Sequence, residues 1–149
     1  MKRYFLGKVC LSIINTWSGP KWTSIMHIGS VLLSIQSLLN ENPLQNEPGF
    51  ENETGIRNDN YNIIVLHDTY EYLILKNYFN IDDRFECFNE KIKENFFKNK
   101  ESILKKLDDL CIEYPDIIKI NSNIYTLSVN LNYPKIKNLI LKNIINLNN

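Results

Sequence analysis

Alanine is missing from all 149 residues, and glycine and proline occur only five times each. Asparagine and isoleucine fill the gap, the pattern of a base-composition bias toward A and T. Surface helix positions that Ala would occupy therefore carry Asn and Lys, and intrinsic propensity is a blunted guide. No run approaches eighteen consecutive apolar residues, which excludes a membrane-spanning helix, so no membrane is expected as a partner. Excess charge of either sign is also missing. Seventeen Lys and Arg balance seventeen Asp and Glu, leaving no global field to draw in a phosphate backbone, and nucleic acid is not an expected partner. There is no Cys-x-x-Cys pair. Cys10, Cys87 and Cys111 stand far apart and His27 and His67 lie far from all of them, so spacing assigns no metal site. The opening Met1-Lys2-Arg3-Tyr4 lacks the apolar stretch of a signal peptide. With an odd number of cysteines this points to a reducing compartment, cytoplasmic or nuclear. What the chain does have is 44% hydrophobic and 11% aromatic residues, enough for the core of one globular domain.

The run Gly7-Lys8-Val9-Cys10-Leu11-Ser12-Ile13-Ile14 is too short for a helix and leads into Ser18-Gly19-Pro20, an extended segment entering a loop. From Thr23 to Leu39, Ile25, Ile28, Leu32, Ile35 and Leu39 recur at helical spacing, with Thr23 or Ser24 as the cap. Pro43, Pro48, Gly49 and Gly55 make 40–60 a loop. A second helix is expected from about Asn60 to Phe79, packed on the first. A third starts near Asp82 or Asp83 and carries Phe85, Phe88, Ile92, Phe96, Ile103, Leu107 and Leu110, with Lys98-Asn99-Lys100 as a kink. Past Pro115 the pattern changes. A hairpin with Asn121-Ser122-Asn123 as its turn precedes an amphipathic helix opened by Pro134 and running through Leu147. The division expected is 1–112 and a carboxy-terminal extension, 113–149. The tyrosines Tyr61, Tyr70, Tyr72 and Tyr78 suit packing, and both histidines suit a helix surface or a partly buried position.

Read from its neighbours alone, Cys10 has two roles open to it. A free cysteine is commonly a small core residue, whereas one beside a loop that also carries Trp17 and Trp22 can be reached by a large partner and attack a carbonyl as the thiolate.

A resemblance then enters. Gly7-Lys8-Val9-Cys10-Leu11-Ser12, Trp22, the run from Val31 to Leu39, and Asn46-Glu47-Pro48-Gly49-Phe50-Glu51 resemble, in order and spacing, the catalytic stretch of ubiquitin-conjugating enzymes. Asn15-Thr16-Trp17, the extra residues before Trp22 and the Asn-Glu-Pro-Gly loop are similar to the divergent branch of very large hybrid enzymes of the BRUCE (apollon) type. Cys87-Phe88 with Glu90, Ile92, Lys93 and Phe96 resembles the final helices of that branch. The resemblance implies an α+β fold of which this chain is the C-terminal part of a UBC-like domain, mostly helical as present. It implies that Cys10 accepts ubiquitin or a ubiquitin-like protein from an activating enzyme as a thioester and passes it to a lysine or to a ubiquitin ligase. No cofactor is required, since ATP is spent upstream. It places Glu47 where the family has an acidic residue that orients or deprotonates the incoming lysine, and Leu33 and Ser37 on the surface that holds donor ubiquitin. On composition alone Glu47 reads first as a solvated loop carboxylate, and Leu33 is equally a core residue.

One departure stands beside the match. The family's His-Pro-Asn or Asn-Pro-Asn triplet ends eight residues before the cysteine, and its Asn supports the oxyanion or the local loop. Lys2 stands there, with Met1 in place of the proline. Only nine residues precede Cys10, so the family's first helix and four-stranded sheet are expected to be absent, as from a truncated reading frame. The face of the Thr23–Leu39 helix then needs other cover, from the extension after Pro115 or from a second polypeptide. The alternative function is a catalytically impaired variant that binds ubiquitin or a ligase as a scaffold.

Overall fold

The computed structural model describes residues 9–79 and 81–147. Met1, Lys2, Gly7 and Lys8 of the motif comparison lie outside the described residues. The elements in chain order are α1 (Ile28–Ser37), α2 (Ile56–Asp68), a π-helical segment (Thr69–Tyr78), α3 (Asn89–Glu113), strands β1 (Ile118–Ser122) and β2 (Leu127–Leu131), and α4 (Tyr133–Leu147). Short 3-10 turns occupy Ser12–Ile14, Pro43–Asn46 and Asp83–Phe88. Among the described residues no helix is long and apolar enough to cross a membrane. The chain forms two compact units, one of 1–62 with Ser122–Thr126, the other of 63–121 with 127–149.

In the second unit the core is built from Tyr70, Phe96, Leu107, Leu110, Leu131, Tyr133, Ile136, Ile140 and Ile144. The α4 stripe is Tyr133, Ile136, Ile140 and Ile144, spaced by three or four residues so that all fall on one face. Its start is well defined. Asn132 Oδ1 accepts the Lys135 N–H at 3.0 Å, and Pro134 occupies the first turn, where its missing N–H costs nothing. This stripe packs on α3 and on the π-helical segment. Helix α4 thus spends its buried apolar residues on this core, whereas Ile124, also after Pro115, is buried in the first unit. Helix α3 runs unbroken through Lys98-Asn99-Lys100, so the expected kink there does not occur. The Asn99 side chain donates to the Asn95 carbonyl at 2.7 Å and leaves the helical winding intact.

The second expected helix begins earlier than Asn60, at Ile56, and changes winding at Thr69. The Thr69 hydroxyl donates to the Val65 carbonyl at 2.8 Å and so competes for the acceptor on which regular i to i−4 winding relies. The hairpin turn lies later than Asn121-Ser122-Asn123. Asn121 and Ser122 still belong to β1, the Ser122 hydroxyl accepts the Ile124 N–H at 3.2 Å, and Tyr125 and Thr126 take φ values of 57° and 52°. Four residues join the strands, which therefore pair antiparallel. The Ser128 hydroxyl donates to Asn121 Oδ1 across them at 2.8 Å.

In the first unit, α1 starts four to five residues later than Thr23 or Ser24. His27 is the cap: its Nδ1 accepts the Gly29 N–H at 3.1 Å while the Ser30 hydroxyl accepts the His27 N–H at 3.3 Å, a reciprocal box that fixes the start. No residue of α1 is fully buried; Val31, Ser34 and Ile35 are half-buried. Ile25, Ile28, Leu32 and Leu39 are 87%, 71%, 59% and 74% exposed. Each forgoes about 1.5–3 kcal/mol relative to full burial. The buried apolar residues of this unit are instead Leu11, Leu44, Tyr61 and Ile124.

Candidate functional site

Cys10 is free and half-buried. The next residue anchors it: Leu11 is buried, and its carbonyl accepts the backbone N–H groups of Ile14 and Thr16 at 3.3 and 3.1 Å. The Thr16 hydroxyl closes the same turn, accepting the Leu11 N–H at 2.9 Å and donating to the Leu11 carbonyl at 3.2 Å. Asn15, at φ 57°, sends its N–H back to the Ser12 carbonyl at 2.9 Å. Gly19 completes the packing. Its φ is +131° and a Cβ there would stand 3.0 Å from Ser12 Cβ, so both conformation and space favour glycine. The thiol thus sits on a backbone pinned immediately after it, and Trp17 and Trp22 of the same loop are both close to half exposed.

Glu47 is not on a solvated loop; it is 2% exposed. Pro43 opens the 3-10 turn that ends at it, the Glu47 N–H donates to the Leu44 carbonyl at 2.8 Å, and buried Leu44 draws the turn inward. The carboxylate has two phenol donors: Tyr61 to Oε1 at 3.4 Å and Tyr125 to Oε2 at 2.8 Å. A buried carboxylate needs such donors, since desolvation without them is costly. Beside this turn lies a polar cleft of about 490 Å³ lined by Asn40, Glu41, Asn42, Gln45, Asn46 and Glu51; Cys10 is not among its lining residues. At Glu51, backbone N–H donors, its own and that of Gly49, hold the carboxyl below its ordinary range.

Leu33 and Ser37 are one turn apart on α1 and so share a face. Leu33 is 66% exposed, which removes the core reading, and exposed Ser37 donates its hydroxyl to the Ser34 carbonyl at 2.8 Å. His27 is exposed at the start of α1, whereas His67 is 3% exposed, deeper than a surface or partly buried histidine. Of the candidates, spacing on α1 joins Leu33 to Ser37, and hydrogen bonding joins Glu47 to two tyrosines. Tyr61 was legible as a packing residue but not as a donor. Tyr125 carries no sequence signal for its role, because its acceptor is distant along the chain.

With that geometry in hand, residues 4–62 match the family model described as Ubiquitin-conjugating enzyme. Over 67 residues the chain is 55% identical to Ubiquitin-conjugating enzyme E2 Z of Homo sapiens, covering 44% of this chain and 19% of that protein. The Danio rerio protein of the same name is also 55% identical over 67 residues, 44% of this chain and 20% of its own length. Probable ubiquitin-conjugating enzyme protein 17 of Caenorhabditis elegans is 31% identical over 110 residues, 67% of this chain and 15% of that protein. The chain spans about a fifth or less of the length of these curated relatives. The matched stretch, residues 4–62, is similar to ubiquitin-conjugating enzymes. The chain's helices with a small two-stranded sheet are an α+β, mostly helical, UBC-like fold.

Proposed function

We propose, from the relation of residues 4–62 to the ubiquitin-conjugating enzyme family, that Cys10 carries ubiquitin or a ubiquitin-like protein as a thioester. The observation that carries this reading is a half-buried, unbridged thiol on a pinned turn inside the matched segment. The Cys10 sulfur attacks the thioester carbonyl held on the activating enzyme's cysteine. A new C–S bond forms, the old one breaks, and the thiol proton passes to the departing thiolate. In the second half-reaction a lysine amine, or a ligase thiol, attacks the same carbonyl; an amide or a new thioester bond forms, the Cys10 C–S bond breaks, and the attacking group's proton passes to the departing Cys10 thiolate. Sulfur suits both steps because a thiolate is a good nucleophile and a good leaving group.

In this reading Leu33 and Ser37 contact the donor modifier, for which their exposure on one face of α1 is suitable. Glu47 serves the incoming lysine by holding its loop and polar cleft in shape. The partners are an activating enzyme and a ligase, in the cytoplasm or nucleus. Asn15-Thr16-Trp17 and the Asn-Glu-Pro-Gly loop support the finer assignment to the BRUCE (apollon)-type branch. The test is incubation of the chain with activating enzyme, ATP and ubiquitin, followed by non-reducing electrophoresis. A thiol-sensitive adduct that is lost in Cys10→Ala, and becomes thiol-resistant in Cys10→Ser, is expected. An adduct on Cys87 or Cys111 instead, or none with the wild type, overturns the assignment. Lys2 at the family's Asn position favours one second reading, a scaffold that binds ubiquitin or a ligase without charging Cys10. Measurable binding of the uncharged chain with no adduct would select it.

A further inference from the structure

We propose that His67, Asp68 and Glu71 form a binding site for one divalent cation of the zinc class. One ligand atom from each of the three residues lies within 4.8 Å of the others. The cluster is more than a pair of acids. His67 is 97% buried, since only 3% of it is exposed, and its Nδ1 has no hydrogen-bond partner. That orphaned nitrogen faces the two carboxylates, 3.6 Å from Asp68 Oδ1 and 3.8 Å from Glu71 Oε2.

These separations are informative. A protonated Nδ1 donating to either carboxylate would approach to about 2.7–3.2 Å. Ligand atoms held about 2.0–2.2 Å from a tetrahedral zinc stand about 3.4 Å from one another. The two distances from Nδ1 lie beyond a hydrogen bond and within a few tenths of an ångström of that tetrahedral edge, and a cation would draw the two carboxylates, within 4.8 Å of one another, to the same spacing. A buried imidazole nitrogen without a partner also needs an explanation, and a cation supplies one.

The surroundings hold the ligands in place. The Tyr133 ring meets the His67 ring edge-on, with centroids 5.6 Å apart at 68°, which fixes the imidazole plane. Lys76 Nζ lies 3.9 Å from Glu71 Oε1, leaving Oε2 toward the nitrogen. In an unbroken α-helix, residues i and i+1 do not face each other; here the winding widens at Thr69, immediately after Asp68. Asp68 is 17% and Glu71 36% exposed, so a cation can enter from solvent. One imidazole and two carboxylates suit Zn²⁺ or Co²⁺ better than Mg²⁺, which prefers six oxygen ligands.

The experiment titrates Co²⁺ and then Zn²⁺ into the full chain, with Mg²⁺ as comparison, followed by visible absorption. One equivalent of Co²⁺ with the d–d bands of a tetrahedral centre and no thiolate charge-transfer band is expected, displaced by Zn²⁺ and not by Mg²⁺. Glu71→Gln, at an accessible side chain, should keep the circular dichroism of the metal-free chain and lose about 100-fold or more in affinity, beyond what outer-shell partners contribute. Asp68→Asn is the independent check. Absence of binding at micromolar Co²⁺ overturns the proposal. So does a thiolate band, which would place the metal on cysteine, or wild-type affinity in both variants.

Discussion

Replacing Tyr125 with phenylalanine removes one oxygen atom and tests whether the hairpin tip secures the Glu47 turn. The Tyr125 phenol donates to Glu47 Oε2 at 2.8 Å, whereas Tyr61 reaches Oε1 only at 3.4 Å, so the Tyr125 bond is the stronger of these two. A hydrogen bond to a charged group contributes about 1.5–3 kcal/mol net. Glu47 is 2% exposed, so water does not readily replace the lost donor and the cost falls in the middle of that range, about 2 kcal/mol. Trp17 and Trp22 both lie in the first compact unit, so tryptophan fluorescence during urea unfolding reports on that unit. With a slope of about 1.5 kcal/mol per molar urea, the midpoint should fall by about 1.3 M. Tyr61→Phe, which removes the longer bond, should shift it less. A midpoint in Tyr125→Phe within about 0.2 M of wild type, at unchanged slope, would refute the view that this phenol holds the buried carboxylate.

Three further outcomes are expected. Ile140→Ala, at a fully buried position of α4, should destabilise the second unit by about 2–5 kcal/mol, measured by thermal unfolding under circular dichroism. The Arg84 side chain, bonded to Asp82 at 2.7 and 2.8 Å, and the Arg84 backbone N–H hold the Asp82 carboxyl down from 3.8 to about 2. Because the folded value is the lower one, this stabilisation is complete above about pH 4 and is lost as pH falls through about 2. A carboxyl carbon NMR titration of folded protein with a midpoint near 3.8 at Asp82 would contradict it. Burial pushes the Cys111 thiol up, and Cys87 is exposed, so maleimide at neutral pH should label Cys87 before Cys111; peptide mass spectrometry gives the order.

Periodicity was a good guide where one face of a helix had a partner. The α4 stripe from Tyr133 to Ile144 was legible because Asn132, Pro134 and the three- and four-residue spacings all agree, and α3 was legible from its spacing apart from the kink expected at Lys98-Asn99-Lys100, which does not occur. The same pattern overstated α1. Ile25 fits the stripe arithmetically yet is 87% exposed, since spacing records where apolar groups point and not whether anything covers them. The change of winding at Thr69 was invisible, because it depends on one hydroxyl finding the Val65 carbonyl. The Cys10 turn and the exposure of Ser37 follow from local chemistry. The burial of Glu47 does not, because its tighter donor is 78 residues away and no local rule links the two.

That long-range bond bears on how the molecule can be divided. Cutting the chain after Glu113 would discard Tyr125 and with it the shorter of the two phenol bonds to the buried Glu47 carboxylate. Under the proposed thioester role, a loss of charging in such a fragment would report a disturbed Glu47 turn as readily as a disabled sulfur, so the shortest faithful piece must extend past the hairpin.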